Sequence, residues 1–200
     1  MAGPAALTPP DPLLLQLYRY SWQPARYAHP AWLAALGFRP RPDWRYGQRP
    51  PLDEGLNQAL RRRRGTPPLG QALTPRARRL ARLAPMMTAA ALGLGLLVLE
   101  CSDYLLLPAY RQVIGQWLSE EAVWQLFGLC GGKRGVVWAP DQLAERAISL
   151  GAAVLARLAV NEPVLYILLI LLPPPERALW PKVPGSALIV LEQVLCPPED

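Results

Sequence analysis

An all-α fold with Pro-rich loops follows from three features of the chain. Apolar residues recur at helical spacing, as in Leu52, Leu56 and Leu60 and again in Leu143, Ala147, Leu150, Val154 and Leu158. Helix-starting chemistry stands ahead of such stretches, with Thr74 before Pro75 and Ser119 before Glu120 and Glu121. Proline supplies 24 of 200 residues and forbids a long uninterrupted bundle, because an internal Pro removes a donor and clashes with the preceding turn. Residues 164–172 read as a buried helix or strand, which leaves room for one short strand pair. A hydrophobic share of 52% is enough for a core and excludes a wholly disordered chain.

The elements follow in order. Residues 1–12 are Ala/Pro-rich and are expected to form a disordered tail. Residues 13–196 are expected to form one helical domain: an aromatic and basic part at 13–64, a linker at 65–75 and an apolar part at 76–196. Two short helices are predicted near 13–19 and 30–37, with Pro30 in the first turn of the second. Residues 38–51 are irregular, since Arg39-Pro40-Arg41-Pro42 is held extended by its prolines. A helix at 52–64 stops at Gly65 and Pro67-Pro68. Thr74 caps the next helix, and Pro85 kinks it. Helices at 109–118 and 119–128 follow, then Gly131-Gly132. Asp141 is the expected cap of a helix over 141–160, and residues 186–195 form a last amphipathic element. The clustered aromatics around Trp22, and Trp117 with them, are expected inside, so Trp22→Ala and Trp117→Ala should act through stability.

Charge is uneven. Residues 1–85 carry 14 Arg and no Lys against four acids, a balance of +10, while residues 86–200 balance at −4. A basic half suits an acidic partner surface, or it solubilises a Leu-rich segment. No positively charged n-region opens the chain, and Cys101, Cys130 and Cys196 are too few and too scattered for a disulfide framework. The expected place is therefore the cytoplasm. Residues 83–99 are free of charge, but 17 residues span roughly 25 Å against a hydrocarbon core of roughly 30 Å. A buried core helix is the better reading. The rival is a small membrane protein anchored by a helix at 83–99.

The chemical motifs do not add up to an enzyme. Gly128-Leu-Cys-Gly-Gly132-Lys133-Arg134 is one residue short of a phosphate loop and puts Arg where a hydroxyl must hold magnesium. Gly93 and Gly95 lack the third glycine of a dinucleotide fingerprint, and close helix packing explains them. His29 is the single His, no Cys-x-x-Cys occurs, and adjacent Glu120 and Glu121 point about 100° apart on a helix. No catalytic residue, metal site or cofactor is expected. Arg61, Arg62, Arg63 and Arg64, with Arg76, Arg78, Arg79 and Arg82, are the candidate partner-binding residues, because each guanidinium offers a fork for carboxylates. The same run would suit the negative end of a helix dipole. A nucleic-acid partner rests on Arg alone and is not expected.

Trp22-Gln-Pro24-Ala25-Arg-Tyr27-Ala-His29 has the form aromatic-x-Pro-Ala-x-Tyr-x-His. Leu33 and Leu36 follow, then Leu56-Asn57-Gln-Ala-Leu60, Leu92-Gly93-Leu94 and the 116–127 region. Over residues 20–60 and 92–127 this order resembles the SctK family, accessory sorting-platform proteins of bacterial type III secretion systems. The resemblance implies a helical, non-enzymatic, cytoplasmic adaptor, peripheral to the inner membrane. It would join the cytoplasmic domain of the SctD-type inner-membrane ring protein to the SctQ-type pod protein, and through it SctL and the ATPase SctN. Trp22, Pro24, Ala25, Tyr27 and His29 would then be structural.

Overall fold

Proline starts helices here rather than breaking them. In the computed structural model, which describes residues 11–132, 135–175 and 182–190, eight helices open on a proline: α1 Pro12–Trp22, α2 Pro24–Tyr27, α3 Pro30–Ala34, α4 Pro50–Arg64, α5 Pro75–Ala81, α8 Pro108–Ile114, α10 Pro140–Leu158 and α11 Pro163–Leu168. The first helical position has no intrahelical acceptor for an N–H, so proline loses nothing there and its fixed φ is already helical. The others are α6 Met87–Leu99, α7 Asp103–Leu106, α9 Glu120–Leu129 and α12 Ala187–Ile189. Among the described residues none is in a strand, so the strand pair is not formed; residues 164–172 are α11 followed by a 3₁₀ turn, Leu169–Leu171.

Two expected caps are present. Thr74 Oγ1 accepts from Ala77 N–H at 3.1 Å, and Ser119 Oγ accepts from Ala122 N–H at 3.2 Å. A third is displaced. Ala139 takes the cap of α10, because the residue before a proline is driven extended, and Asp141 lies one residue inside the helix. It still places an acid where the helix dipole favours one. Gly65 closes α4 at φ +82°, a conformation that costs a glycine little. Helix α1 outruns its expected end at residue 19, α3 stops before 37, and α8 stops at Ile114. Helix α7 was not anticipated: Leu107 turns extended before Pro108 and separates one turn of helix from the next. Residues 1–10 and 191–195 of the expected tail and last helix, together with Lys133, Arg134 and Cys196, lie outside the described residues.

Helix α6 is the centre of the core. Every residue from Ala89 to Leu97 is buried, with Met87. A helix apolar on all sides must be sheathed, and α10 is its main partner, with α9 and the Leu169–Leu171 turn beside it. The α6/α10 crossing is antiparallel and very close. A Cβ built on Gly95 would overlap the backbone of Ala147, and one built on Gly151 would overlap that of Ala91. Gly93 has ordinary space, with Leu126 Cδ1 at 3.5 Å from its added Cβ. On α10, Gly151, Ala152 and Leu155 are buried while Leu150 and Leu158 are half-buried, so the stripe is rotated from the expected one to bring its small residues against α6. Tyr104 in α7, 1% exposed, accepts from the N–H groups of Val137 and Trp138 at 2.8 Å each and pins the loop that leads into α10.

No single helix among the described residues is long and apolar enough to cross a membrane. Among the described residues one pair, Pro75–Ala81 and Ala84–Leu99, reaches the required length and composition together, and it bends by 42°. The 3₁₀ turn Ala84–Met86, which contains Pro85, is the site of that bend.

The N-terminal helices dock on α11 and the 3₁₀ turn that follows it. His29 N–H donates to Ile170 O at 2.9 Å, and Trp32 Nε1–H donates to Leu172 O at 2.8 Å. One contiguous apolar cluster runs from Leu17, Leu33 and Leu60 to Leu92, Leu126 and Ile170. Trp22 and Trp117 are outside it, at 59% and 47% exposure, which corrects their assignment to the core. Trp22 ends α1 and lies under the Arg61 guanidinium, 5.4 Å from the ring centroid, while Trp117 sits between α8 and α9.

Candidate functional site

The residues of the aromatic-x-Pro-Ala-x-Tyr-x-His motif surround the start of α2. Pro24 and Ala25 are buried, and Ala25 N–H donates to Asn57 Oδ1 at 3.0 Å. Asn57, 2% exposed on α4, donates in turn from Nδ2 to Tyr46 OH at 2.9 Å. The motif and the Leu56-Asn57 stretch thus meet directly. Tyr27 packs edge-on against Tyr20 with ring centroids 4.9 Å apart. His29 caps α3, its Nδ1 accepting from Ala31 N–H at 3.2 Å.

Burial holds the His29 pKa below its ordinary value of 6.5, and the cap itself requires an unprotonated Nδ1. The unfolded chain therefore takes up this proton first. Stability contributed by His29 is complete above pH 6.5 and is lost as pH falls through the lowered folded value. Unfolding free energies from urea titration should fall from pH 7 to pH 5.5, by less than about 1.4 kcal/mol per pH unit. His29→Asn, which keeps a capping oxygen, should flatten that slope; an unchanged slope would assign it to other groups.

The nominated arginines divide into engaged and free. Arg61 Nη2 pairs with Glu54 at 2.8 Å, and Arg63 Nη1 donates to Ala35 O at 2.7 Å. Arg64 is drawn inward. Its guanidinium lies 5.3 Å from the ring centroids of both Trp32 and Tyr166 and donates to Tyr166 O. Burial pulls its pKa down to about 10, so the cation persists at neutral pH. Arg76 pairs with Glu162 at 3.0 Å and Arg78 with Asp11 at 2.7 Å, and Arg79 and Arg82 are also engaged. Arg62 alone of the eight is exposed with no ion pair or side-chain hydrogen bond among the described residues. The run 61–64 thus points one side chain to solvent and uses the other three to fasten α4 to α1, α3 and α11.

A second surface escaped the sequence reading. Trp124 on α9 is 49% exposed, and the Arg111 guanidinium lies 5.2 Å from its ring centroid. Arg111 also pairs with Glu120 at 3.0 Å. Phe127 meets Trp124 edge-on at 5.9 Å. Leu107, one turn before Arg111, is exposed, as are Leu106 and Trp117. Helix α9 carried a usable signal. Its core face is Ala122, Val123 and Leu126, and a helical wheel then puts Trp124 beside Glu120, on the outer side. Half-exposed tryptophans with an arginine are enriched at protein interfaces.

Among the described residues no group of three or more His, Cys, Asp or Glu side chains could hold a metal ion. Cys101 is buried and Cys130 half-buried, both as free thiols. Neither surface pairs a nucleophile with a base. Both are suited to binding protein.

A family model described as a type III secretion system subunit matches residues 15–174. No curated protein and no solved structure matches the chain. The matched span contains the motif around Pro24, the engaged arginines, the α6/α10 crossing and the aromatic surface on α9, and with four-fifths of its residues so covered the chain belongs to the type III secretion system subunit family.

Proposed function

We propose that this subunit is a non-enzymatic, SctK-type adaptor of the sorting platform. It joins the cytoplasmic domain of the SctD-type ring protein to the SctQ-type pod protein, with SctL and SctN attached through the pod. Its place is the cytoplasmic face of the inner membrane. The observation that carries this reading is the pair of unlike surfaces on separate elements. One is cationic and lies on the N-terminal segments, and the other is aromatic and lies on α8 and α9. A bracket needs two such contacts and no reacting group.

The test separates interface from core. Trp117→Ala and Trp124→Ala should each shift Tm by no more than about 2–4 °C, as expected for about 1 kcal/mol in a chain of this size. Together they should abolish co-purification with one of the two partners, because exposed aromatics act as anchors. Arg62→Glu should weaken the other contact and reduce its salt dependence. A chain that fails to retain either the ring protein or the pod protein would overturn the adaptor reading. A loss of folding on either Trp substitution would return those residues to the core.

A further inference from the structure

We propose that the groove formed by Phe38, Arg39, Arg41, Trp44, Arg49 and Leu52 takes an acidic linear segment of a partner protein that carries an apolar side chain. This deepens the adaptor reading by supplying the chemistry of one contact.

The groove, about 250 Å³ in volume, lies between the 38–49 loop and the start of α4. The loop is irregular and yet firmly held. Gly47 N–H donates to Asp53 Oδ2 at 2.7 Å, and Asp53 is 4% exposed. Tyr46 is tied to Asn57, and Phe38 packs edge-on against Trp44 at 5.5 Å. Arg45 donates from Nη1 to Pro42 O at 2.9 Å and Trp44 O at 2.8 Å. A site held in this way loses little entropy on binding.

Its charge is unmet. Arg39, Arg41 and Arg49 are exposed and make no side-chain ion pair or hydrogen bond among the described residues, whereas the arginines of α4 and α5 are mostly engaged within the chain. Asp43 is the one acid lining the groove. Trp44 lines the groove with its ring, while its Nε1–H is buried away from solvent without an acceptor. Three free guanidiniums beside the Phe38, Trp44 and Leu52 side chains match carboxylates spaced by an apolar residue, through charge-assisted forks and ring contact.

A phosphate ligand is a poorer match. The adjacent helix end would ordinarily offer backbone N–H groups to such an anion. Here Pro50 and Pro51 remove two of them, and Asp53 N–H already donates to Arg49 O at 3.0 Å. The volume suits one or two side chains, below the roughly 300 Å³ at which small-molecule sites begin.

The full chain is titrated into a fluorescein-labelled peptide of glutamates interrupted by phenylalanine, and polarisation is followed at low and moderate salt. Binding should appear, weaken with salt, and fall at least about tenfold in Arg39→Glu combined with Arg41→Glu. Arg19→Glu, half that charge change on exposed α1, should alter it less than about twofold. Arg49→Gln is a second probe should the double variant lose its helical circular dichroism. Replacing the peptide phenylalanines by serine should also weaken binding. Equal binding of a labelled oligothymidylate, or an equal loss in Arg19→Glu, would overturn the proposal in favour of unspecific electrostatics. Binding gained about tenfold on Glu199→Lys with Asp200→Lys would assign the groove to this chain's own C-terminal segment and overturn it as well. Absence of binding overturns it outright. Because the peptide assay uses the isolated chain, that failure would leave co-purification with ring and pod proteins as a separate result.

Discussion

Gly95→Ala should lower the melting temperature by about 6–12 °C, the equivalent of about 3 kcal/mol in a chain of this size. The reason is what the new methyl would meet. Its nearest atoms are the Cα, C and O of Ala147 on α10. Backbone cannot rotate away as a side chain can, so the two helices must separate along their whole contact. Gly151→Ala should act alike, since its methyl would meet the backbone of Ala91 on α6, on the other flank of the same crossing. Gly93→Ala should act in the opposite sense. Its methyl finds ordinary van der Waals contact with Leu126, and alanine is better than glycine inside a helix by about 0.8–1 kcal/mol. The three substitutions remove the same conformational freedom from the unfolded chain, so differences among them report on the folded crossing. Thermal denaturation of the three variants decides it. A Gly95→Ala protein within 2 °C of the parent would mean that the helices lie further apart than the structure places them.

That contrast also marks how far sequence reading reaches. Close helix packing was legible at Gly93 and Gly95, because glycine inside an apolar helix needs a reason. Which glycine was in contact was not legible, since that depends on α10, about fifty residues later. Thr74 and Ser119 were legible because a cap bonds its own next turn. Asp141 was misread because proline at the following position of a cap overrides side-chain preference. Trp22 and Trp117 show the same limit for burial: size argues for the interior, and only the final packing of α1, α8 and α9 leaves these rings half outside. The motif around Pro24 and the stretch around Asn57 were both noticed, yet their hydrogen bond spans 32 positions and has no local trace.

Arg64→Ala should cost about 3 kcal/mol, whereas Arg62→Ala two positions away should change stability by less than about 0.5 kcal/mol. In sequence the two are interchangeable. In the fold, Arg62 faces solvent, and Arg64 bridges segments 32 and 102 positions distant, at Trp32 and Tyr166. Deleting the Arg64 side chain removes two desolvated cation–π contacts and a charge-assisted hydrogen bond, and leaves Tyr166 O without that donor. It also widens a pocket of about 430 Å³ that Arg64 lines together with Trp32, Tyr166, Pro174 and Pro175. Arg64→Lys keeps the charge but not the planar group that lies against two rings, so it should recover less than half of the loss. Equilibrium urea unfolding of the three variants gives the comparison. If Arg64→Ala were as mild as Arg62→Ala, apolar contact and the His29 and Trp32 hydrogen bonds would suffice to hold the N-terminal helices in place. If Arg64→Lys were fully stable, charge rather than stacking would hold them. The expected order, with Arg64→Ala lowest and Arg62→Ala near the parent, would mean that one side chain of a four-arginine run has been withdrawn from the surface to join the basic half of the chain to its apolar core.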